Sequence, residues 1–501
     1  MFRGAGLAGG GYLVAQALNL GVYIVLSRLL LPSEFGEYAA ATLLVGFGVL
    51  VTESGMQSAL IQRKDRIEEA QSTAVIACVA GGLLAALACL AAAPLLGLIF
   101  DNGEVGELAA ASSGVILIMV LQVVPNAILQ RRFSFLRMVV VDPVEVVVFG
   151  TVAIVAASGG LGPWSLVIAT YAQMSSGAVL AWALVRWRPQ LRLASMQMWR
   201  ELVAYGRHIF VATSILRLGE QTADTLIVGR GLGTAALGQY RFAFRIASLP
   251  FYVLLAGAAY VIFPALARIA DDRERLQAAF LRSLRWMAAL GFPAGMLLIP
   301  IGPSLAVLVF GDVWQAAGLA TIGMCMYAGG SAISSAVSEL LKADGSPQPL
   351  VRMHSVTTAT VAIGLLALMP FGLSAAAAGL SIGSLVGGAY ALRVANRTSG
   401  VDRAAMWREV WPPIVAGAVM ALALLPLDRF VLDPASHGTA VGLALVAVEA
   451  LIGAVVYMAA LNILSPGTPR ELITTIRQRG SGPPDLEALE LGPDSPREVG
   501  A

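Results

Sequence analysis

The chain has 501 residues, of which 57% are hydrophobic and 13% charged, with a formal net charge of +2 and a mean hydropathy of +0.78. A water-soluble fold of this size cannot cover itself with so few polar side chains, which excludes a soluble enzyme or a nucleic-acid-binding protein. Cys78, Cys89 and Cys325 all lie in apolar runs without CxxC spacing, so neither a disulfide framework nor a zinc site is expected.

A transmembrane helix needs roughly 20 apolar residues. About fourteen such runs follow one another, near 8–30, 36–58, 70–99, 108–129, 136–157, 162–185, 205–229, 236–266, 283–309, 315–341, 349–370, 373–394, 407–426 and 439–463. They are continuously apolar rather than alternating, which predicts helices and not a barrel. The fold class expected is an all-α polytopic membrane protein. The first run continues to about Leu31, longer than a signal-peptide core, and is read as a retained span. From about Ser465 the chain turns rich in Pro, Gly and charge, and residues 465–501 are expected to be a disordered cytoplasmic tail.

Almost every Lys and Arg lies in alternate gaps. With the N-terminus in the cytoplasm, 26 of the 33 fall on the cytoplasmic side and three, Arg28, Arg230 and Arg429, on the other. The positive-inside rule then puts both termini in the cytoplasm. The eight Trp residues, among them Trp164, Trp286, Trp314 and Trp407, lie near span ends or in loops, as in an interfacial aromatic belt.

The spans repeat. Arg28, Leu30, Gly36 and Tyr38 after span one are matched by Arg230, Leu232, Gly238 and Tyr240 after span seven, each at an offset of 202. Six spans per repeat keep both halves in one orientation, so they are related by an axis along the membrane normal and face each other across a central cavity. The division expected is a six-helix lobe over 1–200, a second over 201–395, and two additional helices over 396–464.

Charges inside the spans mark the candidate site. Span seven carries Arg217, Glu220, Gln221 and Asp224 on one helical stripe, and span eight carries Arg241 and Arg245 on one face. A mid-bilayer charge costs about 2.5–3.5 kcal/mol on insertion scales, so these groups should face protein or water. One reading is a polar cavity wall in which Arg217, Arg241, Arg245 and Gln221 bind an anionic substrate, since the arginine fork suits phosphate. The other is a structural ion pair, Arg217 with Glu220 or Arg245 with Asp224. Glu220 and Asp224 are also candidates for proton or cation coupling. Arg28 is a candidate either for substrate contact or for capping a loop. Pro125, Pro143, Pro264, Pro293, Pro300 and Pro412 should kink their spans.

Missing motifs narrow the class. Lys64 and Lys342 are the two lysines, and neither follows Gly, so no phosphate-binding GxxxxGK[ST] loop exists. His208, His354 and His437 have no metal-ligand spacing; no metal or cofactor is expected. The outer loops are short, the longest near 427–438, which disfavours a membrane enzyme with an outer catalytic domain.

The segment SRLLLPSEFGEYAAATLLVGFGVLVTESGMQSALIQR, from Ser27 to Arg63, resembles bacterial polysaccharide exporters of the Wzx type, in particular the colanic-acid exporter-like branch. Its marks are an LxPxEFG turn before span two and the SALIQR segment after it. DTLIVGRGLGTAALGQYRFAFRIASLP, VIFPALARIADD, GDVW at 311–314 and ADGSPQ at 343–348 extend the likeness over roughly residues 8 to 395. The resemblance implies the multidrug/oligosaccharidyl-lipid/polysaccharide superfamily: two six-helix lobes, alternating access, and flipping of an undecaprenyl-pyrophosphate-linked sugar repeat across the bacterial inner membrane. It implies a lipid-linked oligosaccharide and membrane lipids as partners, with a polysaccharide polymerase and glycosyltransferases in the same pathway. By span position, Arg217 and Arg245 would meet the pyrophosphate. Two other transport readings stay open: a drug/cation antiporter of the same superfamily working through Glu220 or Asp224, and a flippase for peptidoglycan precursor.

Overall fold

The computed structural model describes residues 2–46, 56–63, 65–132, 140–269, 271–346 and 348–466; side chains are described for these except 2–13, 58, 62, 205–221, 250, 253–265, 267 and 268. The expected tail, apart from its first two residues, therefore lies outside the described residues.

The described chain is helical and carries no strand. The helices are α1 (Phe2–Leu29), α2 (Pro32–Ala41), α3 (Met56–Gln62), α4 (Ile67–Ile99), α5 (Gly103–Ser113), α6 (Val115–Arg131), α7 (Asp142–Ser158), α8 (Trp164–Val185), α9 (Met196–Leu232), α10 (Thr234–Arg268), α11 (Arg273–Met296), α12 (Leu298–Phe310), α13 (Gln315–Gly323), α14 (Tyr327–Ala343), α15 (Pro349–Leu368), α16 (Leu373–Ser399), α17 (Arg403–Leu427) and α18 (Thr439–Leu464). By length and composition, seven described helices can cross a membrane, or nine if each of two bent pairs is one span. The long helices α9 and α10 carry the intramembrane charges. The expected figure of fourteen also counts runs that include undescribed residues.

Two expected spans are broken helices. The run 283–309 divides into α11 and α12, bent by 55°. Pro300 lacks the N–H that would bond residue 296, and Pro303 lacks the one that would bond 299, so the ladder opens where α12 begins. The run 315–341 divides into a short 3-10 turn (Asp312–Trp314) with α13, and α14, bent by 50°. Here no proline is involved. The Ser381 hydroxyl from α16 donates to the Gly323 carbonyl (2.6 Å) and accepts from the Met326 amide (3.0 Å), so a side chain stands in for the helix's own ladder.

The apolar cores separate the two ends of the molecule. Near Arg28 and Arg230 both halves share one core: Leu26, Phe35, Leu108 and Leu166 pack in one cluster with Leu237, Phe242, Trp314 and Ala377. At the arginine-rich end the clusters part. Val124, Leu129 and Val185 belong to a first-half cluster that takes in only Met198 and Leu202 from the start of α9. Phe280, Leu340, Val394 and Met420 belong to a second, wholly second-half cluster that reaches α17 and α18. The molecule is thus sealed at one end, while no apolar core among the described residues spans both halves at the other.

The seal is built on the repeat. A Cβ on Gly36 would fall on the Thr234 carbonyl, and a Cβ on Gly238 on the Pro32 carbonyl. Each contact is the other displaced by 202, the reciprocity of a pseudo-twofold axis between α2 and α10. Glycine is required because a backbone, not a side chain, occupies the space.

At the arginine-rich end, ion pairs join the start of α9 to the loop before α4, and α11 to α17. Arg63 meets Glu201 at 2.6 Å and Arg66 meets Glu69 at 2.5 Å, while Arg285 grips Glu409 through two guanidinium nitrogens. The Arg63 hydrogen bond holds the Glu201 carboxyl below its ordinary range. That tie is therefore intact above the ordinary glutamate range and is lost as pH falls through the lowered value.

Candidate functional site

The hairpin of α9 and α10 turns at Gly233, whose φ of +87° suits glycine. Asp224 lies eight residues before the end of α9 and Arg241 seven after the start of α10. At about 1.5 Å per residue both sit about 11 Å below the turn. They pair there, at 3.6 Å, with the Asp224 side chain 6% exposed and Arg241 25%. The Thr225 amide and hydroxyl also donate to Asp224 Oδ1, at 2.7 and 3.4 Å. The alternative pairing of Asp224 with Arg245 is not formed, because Arg245 is one helical turn deeper.

Arg245 lies about 16 Å below the turn, a distance of about half a ~30 Å hydrocarbon layer. It reaches across to α1. Its Nη1 donates to Asn19 Oδ1 (3.1 Å) and its guanidinium carbon lies 3.1 Å from the Tyr23 ring centroid. Among the described residues these are an amide and an aromatic face, with no carboxylate in ion-pair contact. A cation–π contact does not neutralise charge. Arg245 is half-buried and so keeps part of its surface free.

Above Arg245 an aromatic cluster closes the sealed end. Tyr23 packs on Phe35, Phe149 and Phe242, with ring centroids 6.1, 6.4 and 6.1 Å apart. Phe242 stacks on Trp314 at 3.7 Å. Trp314, expected in the interfacial belt, is instead fully buried, its indole N–H donating to the Ser27 carbonyl at 2.9 Å. Gln239 binds the same turn, donating to Val313 O (2.5 Å) and accepting from the Ala317 amide (2.8 Å).

Arg28 is placed away from Arg245. It donates to the carbonyls of Leu308 (3.0 Å) and Val309 (3.3 Å), the last turn of α12, and supplies the positive charge that a helix C-terminus favours. These contacts cap α12, a helix of the other half. Arg28→Ala should lower stability by about 1–2 kcal/mol, read as a reduced melting temperature of the purified protein, with substrate affinity within twofold of the parent. Arg217, Glu220 and Gln221 have side chains outside the described residues. Asn19 and Tyr23 were not singled out in the sequence; two amides, Gln16 and Asn19, in the middle of the apolar first span are the signal available there.

Residues 25–318 match the family described as polysaccharide biosynthesis protein. The chain belongs to this family. It is 26% identical over 292 residues to the succinoglycan biosynthesis transport protein ExoT of Rhizobium meliloti (strain 1021), covering 58% of each chain. It is 24% identical over 305 residues to the lipopolysaccharide biosynthesis protein WzxC of Escherichia coli (strain K12), covering 60% of this chain and 61% of that protein. It is 25% identical over 274 residues to the teichuronic acid biosynthesis protein TuaB of Bacillus subtilis (strain 168), covering 54% and 56%. The chain thus spans about three-fifths of the length of these relatives. In fold it is similar to the inward closed conformation of the lipid II flippase MurJ, with a TM-score of 0.74 over 93% of this chain and 99% of that one at 14% identity. A multidrug resistance MATE family transporter in its inward-facing conformation gives a TM-score of 0.60 over 80% and 95% at 17% identity. These likenesses, with the apolar helices, show an all-α multi-pass membrane fold.

Proposed function

We propose that this chain is a flippase that carries an undecaprenyl-pyrophosphate-linked oligosaccharide, a precursor of a surface polysaccharide, across the bacterial inner membrane by alternating access. The observation that carries the reading is Arg245: a guanidinium at mid-membrane depth, between the two halves, with no described carboxylate to neutralise it. Such a charge is expensive in a membrane and is retained where an anion uses it. A pyrophosphate offers the paired oxygens that a guanidinium binds through two parallel hydrogen bonds. The relatives' names support the substrate class, since succinoglycan, lipopolysaccharide and teichuronic acid are all polysaccharides or their conjugates.

The two lobes of this reading are residues 1–200 and 201–395, with 396–464 as an added helix pair. With both termini cytoplasmic, the sealed end is the outer one, and the described state faces inward. Pyrophosphate would enter from the arginine-rich side, rise to Arg245, and leave when the aromatic cluster parts and the inner ends meet. The polyprenyl tail stays in lipid, and no bond is made or broken.

The test is deletion in the native cell. Lipid-linked repeat units should accumulate on the cytoplasmic side and surface polysaccharide should be lost. Unchanged polysaccharide with raised drug sensitivity would replace this reading with the antiporter. Lethality with arrested cell-wall synthesis would replace it with a peptidoglycan-precursor flippase.

A further inference from the structure

Away from the Arg245 site, Glu449 on α18 is fully buried, and neither of its carboxylate oxygens accepts a hydrogen bond. No other carboxylate among the described residues is in this position. The polar group that acts on it is a second carboxyl, that of Asp428 at the end of α17. Asp428 Oδ1 accepts from the Ser304 hydroxyl of α12 at 3.4 Å. Asp433 and Arg429 are the further charges that act on Asp428, and Val446, Leu424 and Met420 are buried on the same helix pair. Three elements therefore meet at this point: α12 of the second half and both helices of the added pair.

Ionised carboxylates accept hydrogen bonds and cannot donate them. Two such groups in contact repel, and in a dry site the cost of both being charged is severe. They bind each other when one proton lies between them. A metal cation would need further oxygen ligands, and no group of three acidic, His or Cys residues fit to hold one exists among the described residues. We propose that Asp428 and Glu449 form a proton-binding site, in which one shared proton holds the α17–α18 pair against α12. When the proton leaves to water, two negative charges remain in the contact and the pair separates from α12. The position matters because α12 is the outer limb of the broken helix, hinged to α11 by 55°. The added pair is thereby attached to the limb beyond the bend, through a contact that depends on pH.

Infrared spectroscopy of the full chain in lipid vesicles without substrate tests this directly. The wild type should show a protonated-carboxyl carbonyl band at neutral pH that fades as pH rises. The band should be absent in Glu449→Gln and in Asp428→Asn, where the new amide donates to the remaining carboxylate. Should one variant fail to fold, the other reads the same band. The melting temperature of the wild type should fall as pH rises from about 5 through neutral, because the folded state keeps a proton that the unfolded carboxyls have already lost. The double variant Asp428→Asn/Glu449→Gln should show no such fall. A band unchanged in either folded single variant overturns the proposal. So does a wild-type melting temperature that follows sodium concentration at fixed pH and not pH itself. Neither readout requires translocation, so failure here leaves the flippase reading standing, and failure of that reading leaves this one.

Discussion

Arg245→Ala is expected to slow translocation of the lipid-linked repeat by roughly 100-fold, the loss that accompanies removal of one member of a buried charged contact. The variant should insert and melt almost as the parent does. The Asn19 amide it leaves behind faces the partly open junction, where water can replace the lost donor. Arg245→Lys should recover part of the rate, because the charge remains while the planar fork and the stack on Tyr23 do not. Arg241→Ala should behave in the opposite way. It leaves Asp224 buried without its cation, and such uncompensated charges cost about 3–5 kcal/mol. The defect should therefore appear first in yield and melting temperature. Measuring both variants for thermal stability and for flipping of labelled lipid-linked oligosaccharide in vesicles separates a binding arginine from a structural one. Equal losses of stability and transport in both would mean that Arg245 only joins two helices.

The contrast between these arginines shows what a sequence can and cannot carry. That both lie on one face of a helix follows from their spacing of four. That both lie in the membrane follows from the apolar run around them. Which one meets Asp224 depends on the register across the Gly233 turn, a distance fixed in three dimensions; counting along each arm from the turn recovers it once the turn is known. The repeat was legible because the crossing of α2 and α10 demands glycine at both equivalent positions, a demand that chemistry enforces at fixed offset. The break at α11–α12 was foreshadowed by prolines. The break at α13–α14 was not, because its cause is Ser381, 55 residues beyond Met326 in the chain. Trp314 misled for a similar reason. A tryptophan in a loop at a span end usually marks an interface, but this loop folds inward and its indole finds a carbonyl of α1.

The same glycine crossing supports the second large effect. Gly36→Ala is expected to hold the sealed end open and to reduce transport more than tenfold. The new methyl meets the Thr234 carbonyl and the Gly238 amide, which are main-chain atoms on a helix and cannot rotate away. The two helices must move apart, and Phe35 and Phe242, whose rings lie 4.8 Å from each other on these helices, part with them. Overpacking of a tight contact costs typically about 1–3 kcal/mol. That is comparable to the difference between conformations of a molecule that must visit two states, so the cost is enough to shift its resting population. In a background with Cys78, Cys89 and Cys325 replaced by alanine, Leu237→Cys reports on the seal, since Leu237 is fully buried there. A membrane-impermeant thiol reagent applied from the outer side should label it at least tenfold faster in Gly36→Ala than in the parent. Gly238→Ala should give the same acceleration, because the pseudo-twofold axis makes the two positions one contact. A response at one glycine and not at the other would show that the crossing is not the element that closes this end, and unchanged labelling at both would show that helices α2 and α10 yield to a methyl group without opening it.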